Sequence, residues 1–371
     1  MAKKVYLGVG NAARKIKNGY LGVGNTTRKV KKAYIGIGGV ARPCWSGGEL
    51  AYYGLVTELS QARNSLAATT IGDYALFGGG FSGSYLSTVD AYNTSLIRST
   101  PTALSDVRSS LAATTIGDFA LFGGGRSRSS NWSRTVDAYN TSLVRSTPTA
   151  MDAARCDLAA ATIGDYALFG GGSGGTTTAY FDTVDAYNTS LTRSTPTALS
   201  TARSDLAATT VDDYALFAGG YKSSGCYATV DAYNSALTRS TPAALSAARR
   251  NLAATTVGNY ALFGGGIDQS AESTVDAYNA SLTRSTPTAL SASRYDLAAT
   301  TVGDYALFCG GYNGSTYYTN ADVYETSLTR STPFAVSYAR QLAATTVGNY
   351  ALFGGGHNGN YLSSVNACIV A

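Results

Sequence analysis

Apolar and polar positions alternate along this chain in short runs, each closed by glycine, asparagine or proline. Such runs read as β-strands separated by tight turns rather than as helices. From Arg63 onward they recur as a near-constant phrase: Arg, two changing residues, Leu-Ala-Ala-Thr-Thr, a two-residue turn, Tyr-Ala-Leu-Phe, then glycines. The leucine opening each copy falls at Leu66, Leu111, Leu158, Leu206, Leu252, Leu297 and Leu342, with spacings of 45, 47, 48, 46, 45 and 45 residues. A strand-rich period of this length predicts a β-propeller in which each copy is one blade.

Each copy divides into four strand signals, a to d. In the third, a is Leu158 to Ile163, b is Tyr166 to Phe169, c is Thr183 to Tyr187 and d starts at Leu191. Gly164-Asp165 marks a tight a–b turn. Pro196 fits an outer edge strand, where a missing N–H is harmless. The last copy stops in strand c, at Ser364 to Cys368. Residues 51–63, counted back from Arg63, align with strand d, and Tyr53 takes the place of the usual Arg. The expectation is an all-β, seven-bladed propeller whose last blade joins residues 342–371 to about 50–58. Such closure leaves no sheet edge open.

Residues 1–48 follow another rhythm, with a period of 14: Tyr6-Leu7-Gly8-Val9-Gly10, Tyr20-Leu21-Gly22-Val23-Gly24 and Tyr34-Ile35-Gly36-Ile37-Gly38. Apolar residues alternate with Lys or Gly, and Gly10-Asn11 and Gly24-Asn25 read as turns, so short hairpins are expected. Arg42-Pro43-Cys44-Trp45-Ser46-Gly47-Gly48 reads as the junction to the second module, 49–371. The first module holds ten Lys and Arg and no acidic residue, which leaves 18 basic against 23 acidic residues for the remainder. Opposite charge suggests two modules with different tasks. Three hairpins bury little alone. The first module is therefore read as a docking or oligomerisation element, with Tyr6, Tyr20, Tyr34, Lys15, Lys29 and Trp45 as its anchoring residues, in preference to a nucleic-acid binder.

Composition narrows the classes. A hydrophobic content of 44% with 42 glycines and 14% charged residues suits a packed, turn-dense β protein. No apolar run reaches the ~18 residues of a membrane helix, and Met1-Ala2-Lys3-Lys4 leads into no apolar signal region. Cys44, Cys156, Cys226, Cys309 and Cys368 show no metal-type spacing and read as free thiols of a reducing cytoplasm. The one histidine, His357, leaves little for metal or acid–base chemistry. No metal and no cofactor is expected.

Several residues resemble the kelch-type β-propeller over roughly 50–371. They are the apolar strand ending in a double glycine (Phe77-Gly78-Gly79, Phe263-Gly264-Gly265), the downstream Tyr92, Tyr139, Tyr187, Tyr233, Tyr278 and Tyr324, and the Arg before strand a (Arg63, Arg108, Arg155). The pattern departs in strand d. Where kelch repeats carry Trp, this chain has Arg98, Arg145, Arg193, Arg239, Arg284 and Arg330, which implies a different blade-to-blade packing. Residues 1–48 resemble Lys/Gly/Tyr-rich repeats at the start of tail-associated proteins of phages and prophages in Gram-positive bacteria. That resemblance implies a virion location, the alternative being cytoplasmic.

In a four-stranded blade the b–c and d–a connections open on one face of the disc. The a–b and c–d turns open on the other, and here they are monotonous. The copies differ on the first face. Its b–c loops carry Phe81 and Tyr85; Arg126, Arg128 and Trp132; Tyr180 and Phe181; and Tyr221, Lys222 and Tyr227. Later loops carry Asp268 and Glu272; Tyr312, Asn313, Tyr317 and Tyr318; and His357, Asn358 and Tyr361. The residue after each repeat Arg also varies, at Asn64, Ser109, Cys156, Ser204, Arg250, Tyr295 and Gln341. Aromatic anchors among small polar residues are what recognition surfaces use; neutral drift of surface loops is the bland alternative.

Arg63, Arg108, Arg155, Arg203, Arg249, Arg294 and Arg340 have two readings. They ring the axis for an anion, or they tie blades together through carbonyls and the strand-c Asp (Asp90, Asp137, Asp185, Asp231, Asp276, Asp322). The second suits the rigid guanidinium fork. Asn93-Thr94-Ser95 and its copies match a glycosylation sequon and are read as turns whose hydroxyls cap the backbone. Catalysis is not expected; the Asp268 and Glu272 carboxylates are the remaining acid–base pair. The chain is expected to be a non-enzymatic recognition protein, a phage tail-associated adhesin for a host-surface glycan or protein. A decoration or spacer protein and an intracellular interaction scaffold are the alternatives.

Overall fold

The computed structural model describes the backbone at 6–9, 12–15, 19–23, 26–30, 33–37 and 40–45, and residues 48–370 apart from 129–130, 176–178 and 338. Among these every regular element is a β-strand. Seven four-stranded antiparallel sheets follow one another: blades 1 (67–99), 2 (112–146), 3 (159–194), 4 (207–240), 5 (253–285), 6 (298–331) and 7 (343–370 with 50–55). Blade 3 is typical, with a at Ala159–Ile163, b at Tyr166–Gly170, c at Val184–Asn188 and d at Arg193–Ser194. Strand a of each blade lies against strand a of the next, and blade 7 meets blade 1. The chain forms a closed seven-bladed β-propeller.

Strand b explains the continuous apolar run Tyr-Ala-Leu-Phe. Each sheet is sandwiched between two others, so both faces of b are buried, with Ala167, Leu168 and Phe169 wholly inaccessible. Consecutive blades share a core; blades 3 and 4 bury Ile163, Leu168, Val184, Leu206 and Phe217 together. Glycine sets the approach. A Cβ on Gly170 would stand 2.9 Å from the Phe217 ring of the next blade. That ring meets Tyr233 edge-on at 5.9 Å, and the Tyr233 hydroxyl donates to Thr197 O at 2.8 Å.

Six blades carry a buried ion pair that reaches the outer strand. Arg155 Nη2 donates to Asp185 Oδ2 at 2.7 Å and to Phe169 O at 3.1 Å. Arg193, at the kelch Trp position, donates to Asp185 Oδ1 at 2.7 Å, and Asp152 N donates to the same oxygen at 3.0 Å. Burial pulls the Arg155 guanidinium below its ordinary value, and Asp185 opposes that shift. The repeat arginines are therefore ties, not an axial anion ring.

The seventh arginine is a correction. The slot of Arg63 and its copies is three residues before the leucine, and in blade 7 Ala339 holds it: Gly310 packs on Ala339 O as Gly265 packs on Arg294 O. Arg340, two residues before Leu342, instead pairs with His357 on the variable face. Strand c changes in step. Asn366 stands at the Asp position and accepts from the Tyr52 hydroxyl at 2.9 Å. Both charges are gone together, so no lone buried charge is left.

Closure follows the expected scheme with a shorter strand. Leu50–Leu55 pairs with Val365–Val370, from Leu50 opposite Val370 to Leu55 opposite Asn366. Tyr52, not Tyr53, faces Cys368; Tyr53 is the extra residue of a bulge, followed by Gly54 at φ 112°. The direction of this strand places Leu50 at the end of the a–b and c–d turns. The basic segment therefore joins the disc on the face opposite the variable loops.

Two turn readings are refined. The c–d turns of blades 1 to 5 are capped by the asparagine amide rather than by hydroxyls: Asn188 Oδ1 accepts from Ser190 N at 3.0 Å and Thr192 N at 2.9 Å, with Leu191 at φ 60°. In blade 6, where Glu325 takes the place of Asn, Ser327 Oγ accepts from Thr329 N. Upstream, three separate hairpins pair Tyr6–Val9 with Ala12–Lys15, Gly19–Val23 with Thr26–Val30, and Ala33–Ile37 with Val40–Trp45. The last strand takes in the first part of the expected junction, Arg42-Pro43-Cys44-Trp45; a two-stranded ribbon is all edge and tolerates Pro43. The anchoring side chains expected at Tyr6, Lys15, Tyr20, Lys29, Tyr34 and Trp45 lie outside the described residues, as does that of Cys44.

Candidate functional site

The variable face is built as concentric rings. Ring one holds the residue just before each leucine: Ser65, Ser110, Asp157, Asp205, Asn251, Asp296 and Gln341, all at positive φ. Each backbone N–H donates to the carbonyl of its counterpart in the preceding blade, from Ser110 N to Ser65 O at 2.9 Å round to Ser65 N to Gln341 O at 3.0 Å. The bonds close a circle about the axis. Inside it lies a cavity of about 240 Å³. A second, threonine-lined cavity of about 600 Å³ fills the axis beyond it. There Thr162 Oγ1 donates to Thr115 O at 2.5 Å and Thr210 Oγ1 to Thr162 O at 2.7 Å, tying the innermost strands.

Ring two is Asn64, Ser109, Cys156, Ser204, Arg250, Tyr295 and Arg340; Gln341, expected here, belongs to ring one. Backbone bridges join each member to the first residue of its own b–c loop, which makes ring three: Phe81, Arg126, Ser173, Tyr221, Ile267, Tyr312 and His357. The loops double back to a fourth ring that includes Tyr85, Trp132, Tyr180, Tyr317 and Tyr361. Two short strands extend the loop of blade 4, Tyr221–Lys222 and Gly225–Cys226. Variable residues from every blade thus share one face, as the b–c geometry dictates.

Aromatic side chains there pack on one another. Phe81 meets Tyr85 at 5.1 Å and Tyr361 of blade 7 at 5.9 Å; His357 meets Tyr361 at 5.4 Å. Tyr180 and Tyr221 meet at 6.1 Å. Phe181, Tyr227 and Tyr318 lie one residue further, where each N–H donates to the carbonyl of the glycine two residues beyond its own strand b. Asn313 is spent on its own loop: Oδ1 accepts from Ser315 N and Thr316 N, and Nδ2 donates to Tyr318 Oη at 2.8 Å. Asn358 Oδ1 likewise accepts from Asn360 N. Lys222 is half-buried and Arg126 exposed, and the side chain of Arg128 lies outside the described residues.

The electrostatics centre on ring one. Burial, with Asp157 nearby, pushes the Asp205 carboxyl up to about 6; burial also raises Asp296 to about 6, opposed by Arg340 and Arg250. Burial and Arg340 push His357 below its ordinary value. The ordinary carboxyl value is near 3.9, so the folded protein holds more protons than the unfolded chain between pH ~4 and ~6. Stability is therefore expected to fall as pH rises through that window, by roughly 2–3 kcal/mol per group at 1.36 kcal/mol per unit. Urea midpoints against pH check this. Asp296→Asn should raise the midpoint at pH 8 and leave it unchanged at pH 4; an unchanged midpoint at pH 8 refutes it.

Burial also raises the Cys156 thiol, and Cys226 is raised to about 11 by burial and Asp268. Neither is poised as a nucleophile. Among the described residues no group of three His, Cys, Asp or Glu is arranged to hold a metal ion, and no helix is long and apolar enough to cross a membrane. Asp268 and Glu272 lie on the loop of blade 5, where Glu272 N donates to Gly266 O at 2.8 Å.

Ring one escaped the sequence reading because its members share no side-chain chemistry; they share a backbone conformation. The one available signal was their fixed place before each leucine.

No protein-family model matches the sequence, and no curated protein matches it as a relative. Among solved structures, the protein described as "Structure of YjhT" is similar in fold: TM-score 0.59 at 12% identity, covering 72% of this chain and 96% of that one. A likeness at this identity speaks to the propeller alone.

Proposed function

We propose that this chain is a non-enzymatic recognition protein, a tail-associated adhesin of a phage or prophage. In this reading the propeller, of kelch type, presents its variable face to a host-surface glycan or protein, and residues 1–48 dock it to a larger particle. The protein is made in the bacterial cytoplasm and carried on the virion. The observation that carries the reading is the division of the disc. Variable residues of all seven blades are gathered on one face by the same backbone bridges. The opposite face varies less: its a–b turns are Gly-Asp or Gly-Asn in every blade but the fourth, its c–d turns begin with Asn in every blade that has one but the sixth, and it receives the basic segment at Leu50. A propeller is a rigid frame on which such loops change without disturbing the core.

The test uses labelled full-length protein on a panel of Gram-positive cells. Replacing Phe81, Tyr221 and Tyr312 together by serine is expected to cut cell labelling at least tenfold. Replacing the exposed turn residues Asp73, Asp118 and Asp165 by asparagine is expected to leave it unchanged. Equal effects from the two faces, or no labelling of any strain, would overturn the reading in favour of a structural spacer.

A further inference from the structure

Ring two is lopsided. Four consecutive blades place Asn64, Ser109, Cys156 and Ser204 there, all small and uncharged, and the next three place Arg250, Tyr295 and Arg340. The two arginines adopt one arrangement. Arg250 lies 4.6 Å over the ring of Tyr221 in the preceding blade, and Arg340 lies 4.9 Å over Tyr312. Tyr295 stands between them and meets Tyr312 edge-on at 5.9 Å, while Tyr312 tilts against Tyr317 at 4.7 Å. His357 and Tyr361 extend the aromatic run to Phe81 of blade 1.

Arg340 reached this face through a one-residue shortening before Leu342. The change removed an arginine from the buried slot, now Ala339, and with it the ion pair that the other six blades keep. A residue withdrawn from the fold's own network now stands beside Tyr295. Stacking on a tyrosine fixes the guanidinium plane and leaves its N–H edges pointing sideways. Arg340 Nη1 lies 3.8 Å from an Asp296 oxygen, an ion pair longer than a hydrogen bond, and Arg340 opposes the rise that burial imposes on the Tyr295 hydroxyl.

We propose that Arg250, Tyr295 and Arg340, with the Tyr312 and Tyr361 rings, form a binding site for an acidic saccharide. Tyrosine rings take the C–H faces of sugar units, and the guanidinium forks of Arg250 and Arg340, two blades apart, can each hold a carboxylate or phosphate. A protein partner is the poorer match. Rings two and three of blades 5 to 7 carry one aliphatic residue, the half-buried Ile267 bridged to Arg250, and the aromatic side chains of blades 6 and 7 pack against one another's edges, which leaves few apolar anchors for a protein side chain. This site rests on the reading of the variable face as a recognition surface.

The experiment takes a strain that the full-length protein labels, extracts its protein-free surface polysaccharide, and measures binding before and after the acidic groups are removed chemically. The expected result is binding that falls at least tenfold when the acidic groups are removed. Arg250→Ala and Arg340→Ala should each weaken it about tenfold with unchanged melting temperature, and Arg340→Lys should recover part. Binding lost in Trp132→Ala and Lys222→Ala but kept in Arg340→Ala overturns this site and leaves the recognition face standing. Equal binding of the neutralised polysaccharide overturns the acidic class. Labelling that disappears when the cells are treated with protease, with no binding to polysaccharide, overturns the saccharide. Labelling indifferent to every variable-face substitution overturns both readings.

Discussion

Asp185→Ala is expected to destabilise the propeller by about 3–5 kcal/mol, the range found when one partner of a buried ion pair is removed. The Asp185 carboxylate accepts from Arg155, Arg193 and the Asp152 amide, and the Arg155 side chain has no solvent exposure. Truncation would strand that guanidinium among carbonyls and apolar side chains. Arg193 is partly exposed and rehydrates, so the loss sits chiefly on Arg155. The natural control is blade 7, which lacks both charges and still closes the ring through Tyr52 and Asn366. Arg155→Met with Asp185→Asn is therefore expected to regain at least half of the lost stability, since methionine keeps the bulk and asparagine keeps an acceptor. Urea midpoints of the three proteins decide it. A double variant as unstable as Asp185→Ala would show that packing, and not the stranded charge, sets the cost.

Much of this was legible because repetition reports structure. A residue type that recurs at one place in every copy must do the same thing each time. The Arg–Asp ties, the Phe–Tyr stacking and the glycines under neighbouring rings follow from that rule. Closure was legible from a missing fourth strand at one end and a spare one at the other. What escaped were places where letter and register part company. Arg340 looks like the seventh tie, but its distance to the leucine is two residues, not three. Counting alone puts Tyr53 in the place of the strand-d arginine, because a bulge is invisible to it.

Blade 7 also shows how departures come in compensating sets. Cys309 occupies the glycine position against Phe353, and Cys368 takes the tyrosine position that Phe353 would otherwise meet; all three lie in one cluster. Bulk added on one side of the ring is removed on the other. Phe334 stacks on Tyr52 at 5.9 Å at the junction where the tyrosine hydroxyl bond of the other blades is absent. The face was harder to read than the frame for a physical reason. Its positions are defined by where the backbone bridges fall, and the side chains there follow no rule that a repeat could reveal.

The closing strand should carry the largest effect of all. Removal of residues 1–48 is expected to leave the melting temperature nearly unchanged, because among the described residues the upstream strands pair only within their own hairpins. Removal of residues 1–56 takes away Leu50–Leu55, and blade 7 becomes three-stranded. Leu50 and Ala51 leave the cores of two blade interfaces, together with the Tyr52–Phe334 and Tyr53–Tyr350 contacts. At 1.5–3 kcal/mol per buried large apolar side chain, the loss is on the order of 5 kcal/mol. Val365–Val370, now buried to Ile369, would become a free edge of mostly apolar residues, the kind that recruits other chains. The shorter protein is expected to unfold at much lower temperature and to aggregate, and a synthetic peptide of residues 49–58 should restore solubility. Equal melting temperatures for the two truncations would show that six blades and three strands hold the ring without the seam. That result would make closure a consequence of the blade packing and not its cause.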